Sequence, residues 1–269
     1  MTKGVYEIVI VRFGTRTTIR SEVYLNDFVY GEPDAPIAMD YFFFVVRNEE
    51  RSVLIDTGFS AAAGARRGRE LLVDPIEAFG PLGVAPETAP DVVVTHAHYD
   101  HIGNLALFES SRVWIARAEF DFWSSGMRDR RQFATVTEPD ELDALIAAER
   151  AGRVDFVEDE AEIAPGIRLT RLGGHTPGQL VVRVETSDGP VLLASDAMHY
   201  YEEYDGDRPF VFIHDLEAMY AGFDRIRAAS ADDIGNRIVA GHDPDVLRRF
   251  GPVSHPAFPE LTAVIGALA

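Results

Sequence analysis

The chain has 269 residues, 46% hydrophobic and 26% charged, an ordinary globular make-up with enough length to bury a core unaided. It contains no cysteine, which excludes disulfides and thiolate metal sites. Its formal net charge of -19 argues against a nucleic-acid partner and disfavours a highly anionic substrate, unless local cations or metals reverse the field.

The amino-terminal run MTKGVYEIVIVRFG lacks the apolar length and the small-residue cleavage site of a signal peptide. No stretch approaches the roughly 18 apolar residues of a membrane span. The expectation is a soluble cytoplasmic protein with no membrane partner. Strands are expected at 5–13, 41–46 and 53–55, the last two joined as a hairpin through RNEERS. Asp56-Thr57-Gly58 follows, and 61–72 has helical composition. The run DVVVT at 91–95 is a strand apolar enough for burial on both faces. A helix is expected to begin at 102–108, a strand at 113–116, and a helix at 138–151 with acids first and Arg150 near its end. Strands resume at 167–172, 180–185 and 191–194, followed by a helix at 215–229, a strand at 237–240 and a short helix from 261.

No repeat or low-complexity linker interrupts this order, so residues 1–269 are expected to form one α/β domain of helix-covered packed sheets. Residues 117–150 read as a helical insertion carrying Phe120, Phe122, Trp123, Met127 and Phe133. It is either a lid over a site or an ordinary surface helix pair. Its aromatics, or the first strands, could also build the face of a homodimer.

Directly after DVVVT come His96, His98, Asp100 and His101, three imidazoles and a carboxylate within six residues. Nitrogen and oxygen donors of this kind suit zinc and similar first-row metals, and a loop at a sheet edge lets them converge. Three further polar residues also follow predicted strands: His175 in GGHTPG, Asp196 after VLLAS, and His242 after IVAG. His199 lies three residues past Asp196, close enough to reach either a substrate or a structural partner. His255 reads as a surface residue and His214 as the neighbour of a helix cap.

The order HxHxDH, GGHTPG, SDA, GHD resembles the metallo-β-lactamase superfamily from Tyr41 to about Asp243. The resemblance implies an αββα sandwich with a dinuclear metal site at one edge of its sheets. It implies His96, His98 and His175 on a first metal, Asp100, His101 and His242 on a second, and Asp196 bridging both. Asp56 would stand behind the site and orient a ligand histidine. Two divalent ions are implied, zinc foremost, with Mn, Fe or Co accepted by the same donors.

Within the superfamily the chain is similar to the N-acyl homoserine lactonase group, through YFFFVVRNEERSVLIDTGFS, GGHTPGQ, SDAMHYYEEYDGDRPF and GHDPDVL. That resemblance implies opening of a neutral lactone ring by a hydroxide held between the metals, with Asp100 passing a proton to the leaving oxygen. Better-known members place a tyrosine three residues after the bridging aspartate, against the lactone carbonyl. Here His199 holds that place and Tyr200 and Tyr201 follow, so these three are the candidates for that contact. A glyoxalase-II-like thioesterase or a general carboxylesterase is the alternative enzyme, and a non-catalytic binding protein the alternative class.

Overall fold

Along the strand Pro36–Arg47, Phe42, Phe44 and Val46 point to one face while Phe43 and Val45 point to the other, and all five are buried. A period of two with both sets apolar requires a sheet covered on both sides. The computed structural model, which describes residues 4–266, has that arrangement. Its strands are β1 (Glu7–Ile19), β2 (Pro36–Arg47), β3 (Ser52–Ile55), β4 (Glu70–Leu71), β5 (Asp91–Val93), β6 (Val113–Ala116), β7 (Val154–Val157), β8 (Glu160–Ala164), β9 (Ile167–Arg171), β10 (Leu180–Thr186), β11 (Gly189–Ser195), β12 (Ile238–Ala240) and β13 (Thr262–Ile265).

The first sheet runs β13-β1-β2-β3-β5-β6-β7, with β4 pairing to β1, and the second runs β12-β11-β10-β9-β8. Ile8, Ile10, Phe42 and Phe44 meet Val182, Val184 and Leu193 in the core between the sheets. Val9, Val11, Phe43 and Leu54 form a second core with Phe79, Leu142 and Leu145 on the outer, helical side. The first core also takes in Val181 and Leu192, which alternate with Val182 and Leu193 and so lie on the other face of the second sheet, and Ile226 of the helix Leu216–Ala229 joins it from that outer side. The layers are therefore helix, sheet, sheet, helix: the αββα sandwich.

Three expectations need correction. The segment from Leu261 is a strand: β13 pairs antiparallel with β1, Ile8 opposite Ile265, and a free sheet edge outweighs the weak helical preference of so short a stretch. The helix at 61–72 stops at Arg66, because the chain turns back at Gly68 (φ +64°) and Glu70–Leu71 pairs with β1. The helix expected at 102–108 lies earlier, at Tyr99–Ile102, and is followed by a single turn of 3-10 helix at Leu105–Leu107. Asp100 and His101 therefore sit in a helical first turn, while His96 and His98 remain in the loop before it. Strands β7 and β8 were not anticipated.

Candidate metal centre

The motif residues follow the ends of β5, β9, β11 and β12, so the same edge of the sandwich gathers donors from both sheets. His96, His98, His175 and Asp196 offer donor atoms within 4.8 Å of one another, and Asp100, His101 and His242 form a second such group. Asp196 lies between the two groups. Its Oδ2 is 3.6 Å from His96 Nε2 and 3.4 Å from His175 Nε2, and its Oδ1 is 3.4 Å from His101 Nε2 and 3.1 Å from His242 Nε2. All seven side chains are buried.

The far side of each ring explains its orientation. His101 Nδ1 donates to Asp56 Oδ2 at 2.7 Å, His175 Nδ1 to the Phe212 carbonyl at 2.8 Å, and His242 Nδ1 to the Asp40 carbonyl at 2.7 Å. Each bond turns Nε2 toward the centre, the arrangement that fixes a ligating tautomer. Asp56 also accepts from the Thr95 amide at 2.8 Å and the Thr95 hydroxyl at 2.7 Å, and its backbone is left-handed (φ +60°). A non-glycine residue held there is backbone strain beside the cluster.

The donor set fits a cation. His96 Nε2, His101 Nε2 and Asp196 Oδ1 are buried and have no hydrogen-bond partner among the described residues. An unsatisfied buried polar atom costs about 1–3 kcal/mol, so several aimed at one place suit a ligand that would coordinate them all. Burial pulls His96 and His175 well below the usual imidazole range and His98 to about 4, keeping them neutral, the form that ligates. Burial opposes charge on His101 as well, but Asp196, Asp56 and Asp100 outweigh it and raise that group.

The candidates for substrate contact are placed differently from expectation. His199 is fully buried, stacked on Phe210 at 3.8 Å between ring centroids, with Nε2 3.1 Å from Asp196 Oδ2 and Nδ1 3.2 Å from Glu203. It lies beside Asp196 and the His175 ring, 4.7 Å away between centroids, and lines neither of the cavities beside the cluster. The Tyr200 hydroxyl donates to the Ala38 carbonyl at 3.1 Å and the Tyr201 hydroxyl to the Ile238 carbonyl at 3.0 Å. These bonds turn both phenols into the scaffold, so neither fits the expected contact with a reacting carbonyl. Tyr41 faces a cavity instead, its ring 5.1 Å from that of His242.

Two cavities adjoin the cluster and share His98, Val136, His175 and Phe212 in their walls. One, of about 440 Å³, is mainly apolar, with Phe122, Trp123, Phe133 and Val211. The other, of about 150 Å³, holds Asp100, Asp196, His242, Tyr41 and Tyr99. Within 117–150, Phe122, Trp123 and Phe133 form cavity wall, Phe120 packs edge-on against Phe156 at 5.2 Å, and Met127 is exposed.

One residue that the sequence did not single out ties this wall to the donors. Glu119 is fully buried, and its Oε1 accepts from the Ala97 amide at 2.9 Å and from Trp123 Nε1 at 2.7 Å. Its Oε2 accepts from the Gly178 amide at 2.8 Å. Ala97 lies between His96 and His98, and Gly178 lies three residues after His175, so one carboxylate joins the two loops that carry the first group of donors. A Cβ at Gly178 would fall 2.4 Å from that of Glu119, which is why glycine stands there.

The metallo-beta-lactamase superfamily model matches residues 40–242. An N-acyl homoserine lactonase from Bacillus sp is 26% identical over 219 residues, covering 76% of this chain and 78% of the relative. A solved quorum-quenching N-acyl homoserine lactone lactonase superposes with a TM-score of 0.74 at 20% identity, covering 91% of this chain and 95% of the other. A dizinc quorum-quenching lactonase, AidC, superposes with a TM-score of 0.71 at 18% identity, over 100% of this chain and 97% of the other. The chain belongs to the metallo-beta-lactamase superfamily.

Proposed function

We propose that the protein is a dinuclear metal-dependent hydrolase of carboxylic ester bonds, with lactones as its first substrate class. The observation that carries this reading is the gathering of seven buried donors from both sheets, with His96, His101, His175 and His242 each within 3.6 Å of an oxygen of the seventh, Asp196, and His98 and Asp100 completing the two groups. His96, His98 and His175 would hold one ion, Asp100, His101 and His242 the other, and Asp196 would bridge them. Two divalent ions would supply Lewis acidity, bringing the pKa of water toward neutrality and polarising an ester carbonyl.

The chain's own residues supply the rest. Phe122, Trp123, Phe133 and Val136 offer an apolar wall for an acyl chain and shield the reacting carbonyl from bulk water. Asp100 faces the smaller cavity, where its carboxylate can take a proton from water and deliver it to the leaving oxygen. Glu203 and Phe210 hold His199 against Asp196, so His199 acts on the reaction by positioning that carboxylate. Lactonase relatives covering most of the chain support lactones as the first class to test.

Metal analysis and a turnover screen over lactones, open esters and thioesters test the proposal. About two metals per chain and lactone or ester turnover are expected. Asp196→Asn should bring metal content below two per chain and lower turnover by about 100-fold, since it weakens the one group shared by both ions. A metal-loaded enzyme that cleaves thioesters and is inert on every lactone and ester would end this reading.

A further inference from the structure

The smaller cavity carries a charge pattern opposite to that of the whole molecule. Arg16, Arg67 and Arg69 line it, in a chain with 44 acidic residues against 25 Lys and Arg. Arg67 is fully engaged by Glu138 and by the carbonyls of Thr135 and Thr137. Arg16 and Arg69 are not paired in this way. Arg16 Nε donates to Met39 Sδ at 3.3 Å, and among the described residues no carboxylate lies within 4.0 Å of its guanidinium. Arg69 donates to the Tyr99 hydroxyl at 3.1 Å and to the Arg67 carbonyl at 2.6 Å, again with no carboxylate within 4.0 Å among the described residues.

In so acidic a protein, two arginines facing one cavity without an acidic partner are groups available to a ligand. The carboxylates in that cavity wall are Asp100 and Asp196, both assigned above to metals. With two divalent ions in place their charge is more than cancelled, and the local field favours an anion despite the net charge of -19. Guanidinium is also the side chain best shaped for carboxylate or phosphate oxygens.

We propose that the substrate carries an anionic group, a carboxylate or a phosphate, on the leaving-group side of the scissile bond, where Arg16 and Arg69 hold it. The proposal rests on the ester-hydrolase reading, which sets the acyl chain in the apolar cavity and the leaving oxygen toward Asp100. It replaces the neutral lactone that the sequence suggested with an acyl ester, cyclic or open, bearing a fixed negative charge.

The test is calorimetric binding of uncleavable ether probes to the metal-loaded enzyme: hexyloxyacetate, its neutral isostere hexyloxyacetamide, and 2-hexyloxyethyl phosphate. At least one anion should bind about tenfold or more tightly than the amide, and the tighter anion identifies the group. Arg16→Gln with Arg69→Gln should bring the ratio close to one, while Arg16→Lys with Arg69→Lys should retain a preference for the anion. Melting curves show whether each variant is folded, and the single Arg16→Gln and Arg69→Gln variants, each expected to lower the ratio, keep the test decisive if the pair is not. Equal binding of anion and amide by the wild type overturns the proposal. So does an unchanged preference in the glutamine pair, which would place the anion on the metals. Turnover is measured separately: esterase activity without an anion preference removes only this inference, and a preference without ester or lactone turnover removes only the assigned reaction.

Discussion

Glu119→Gln offers the sharpest test of how the donors are held. The substitution keeps the shape and removes the charge, but an amide has one carbonyl where the carboxylate had two acceptors. If the carbonyl keeps the Ala97 amide and the Trp123 indole, the new NH₂ faces the Gly178 amide, donor against donor. One buried donor left without an acceptor costs about 1–3 kcal/mol, and the two surviving bonds lose their charge assistance. Glu119→Ala would strand all three donors at about 3–9 kcal/mol, comparable to the whole stability of a typical domain, so glutamine is the informative change. The freed segment carries His175, while Asp100, His101 and His242 have no bond to Glu119. We therefore expect about 10–100-fold weaker binding of one metal and little change in the other. Stepwise metal titration against a competing chelator, with thermal melts alongside, reads both effects. Two metals bound with wild-type affinity by a destabilised Glu119→Gln protein would refute the reasoning, as would equal weakening of both.

Asp56→Asn is the complementary perturbation. It disturbs the acceptor behind His101, so the second metal should weaken by about 10–100-fold while the first is kept, in the same titration. Removing metal by chelation should lower the melting temperature by on the order of 10 °C, because donors from both sheets lose the ligand that joins them; an unchanged melt would argue against a metal-linked fold. Glu141 gives a pH signature: burial, then the neighbouring Glu138, pushes its carboxyl from 4.5 to about 8. The folded protein therefore keeps a proton that the unfolded chain sheds above pH 4.5, and stability falls between pH 4.5 and 8 by at most about 5 kcal/mol. Melts of Glu141→Gln at pH 5 and 8.5 should show a smaller loss than wild type; an identical slope would remove Glu141 as its source.

The donors were legible because metal chemistry narrows the choice of residue and strand ends narrow the place. His96 to His101 form one short run, and His175, Asp196 and His242 each follow an apolar strand. Glu119, Arg16 and Arg69 carry no such mark. Glu119 acts on residues 22 and 59 positions away, a relation that only the folded chain creates. The two arginines matter for the partners they lack, and a missing partner has no sequence pattern. The directions of Tyr200 and Tyr201 were not legible, because position in the chain does not set side-chain direction, which here follows from carbonyls on β2 and β12. The C-terminal strand was obscured for a related reason: four residues, TAVI, become a strand only because β1 offers an edge.

That last pairing bears on how the molecule assembles. Ile8 and Ile265 are neighbours in the sheet although more than 250 residues separate them in the chain. A contact of such span forms slowly, since nearly the whole chain must be gathered before it closes. Until then Ile8 to Val11, four consecutive apolar residues, offer an open backbone edge to any strand that meets them. The β13 strand thus works as a late seal, turning a surface prone to self-association into the interior of a finished sheet.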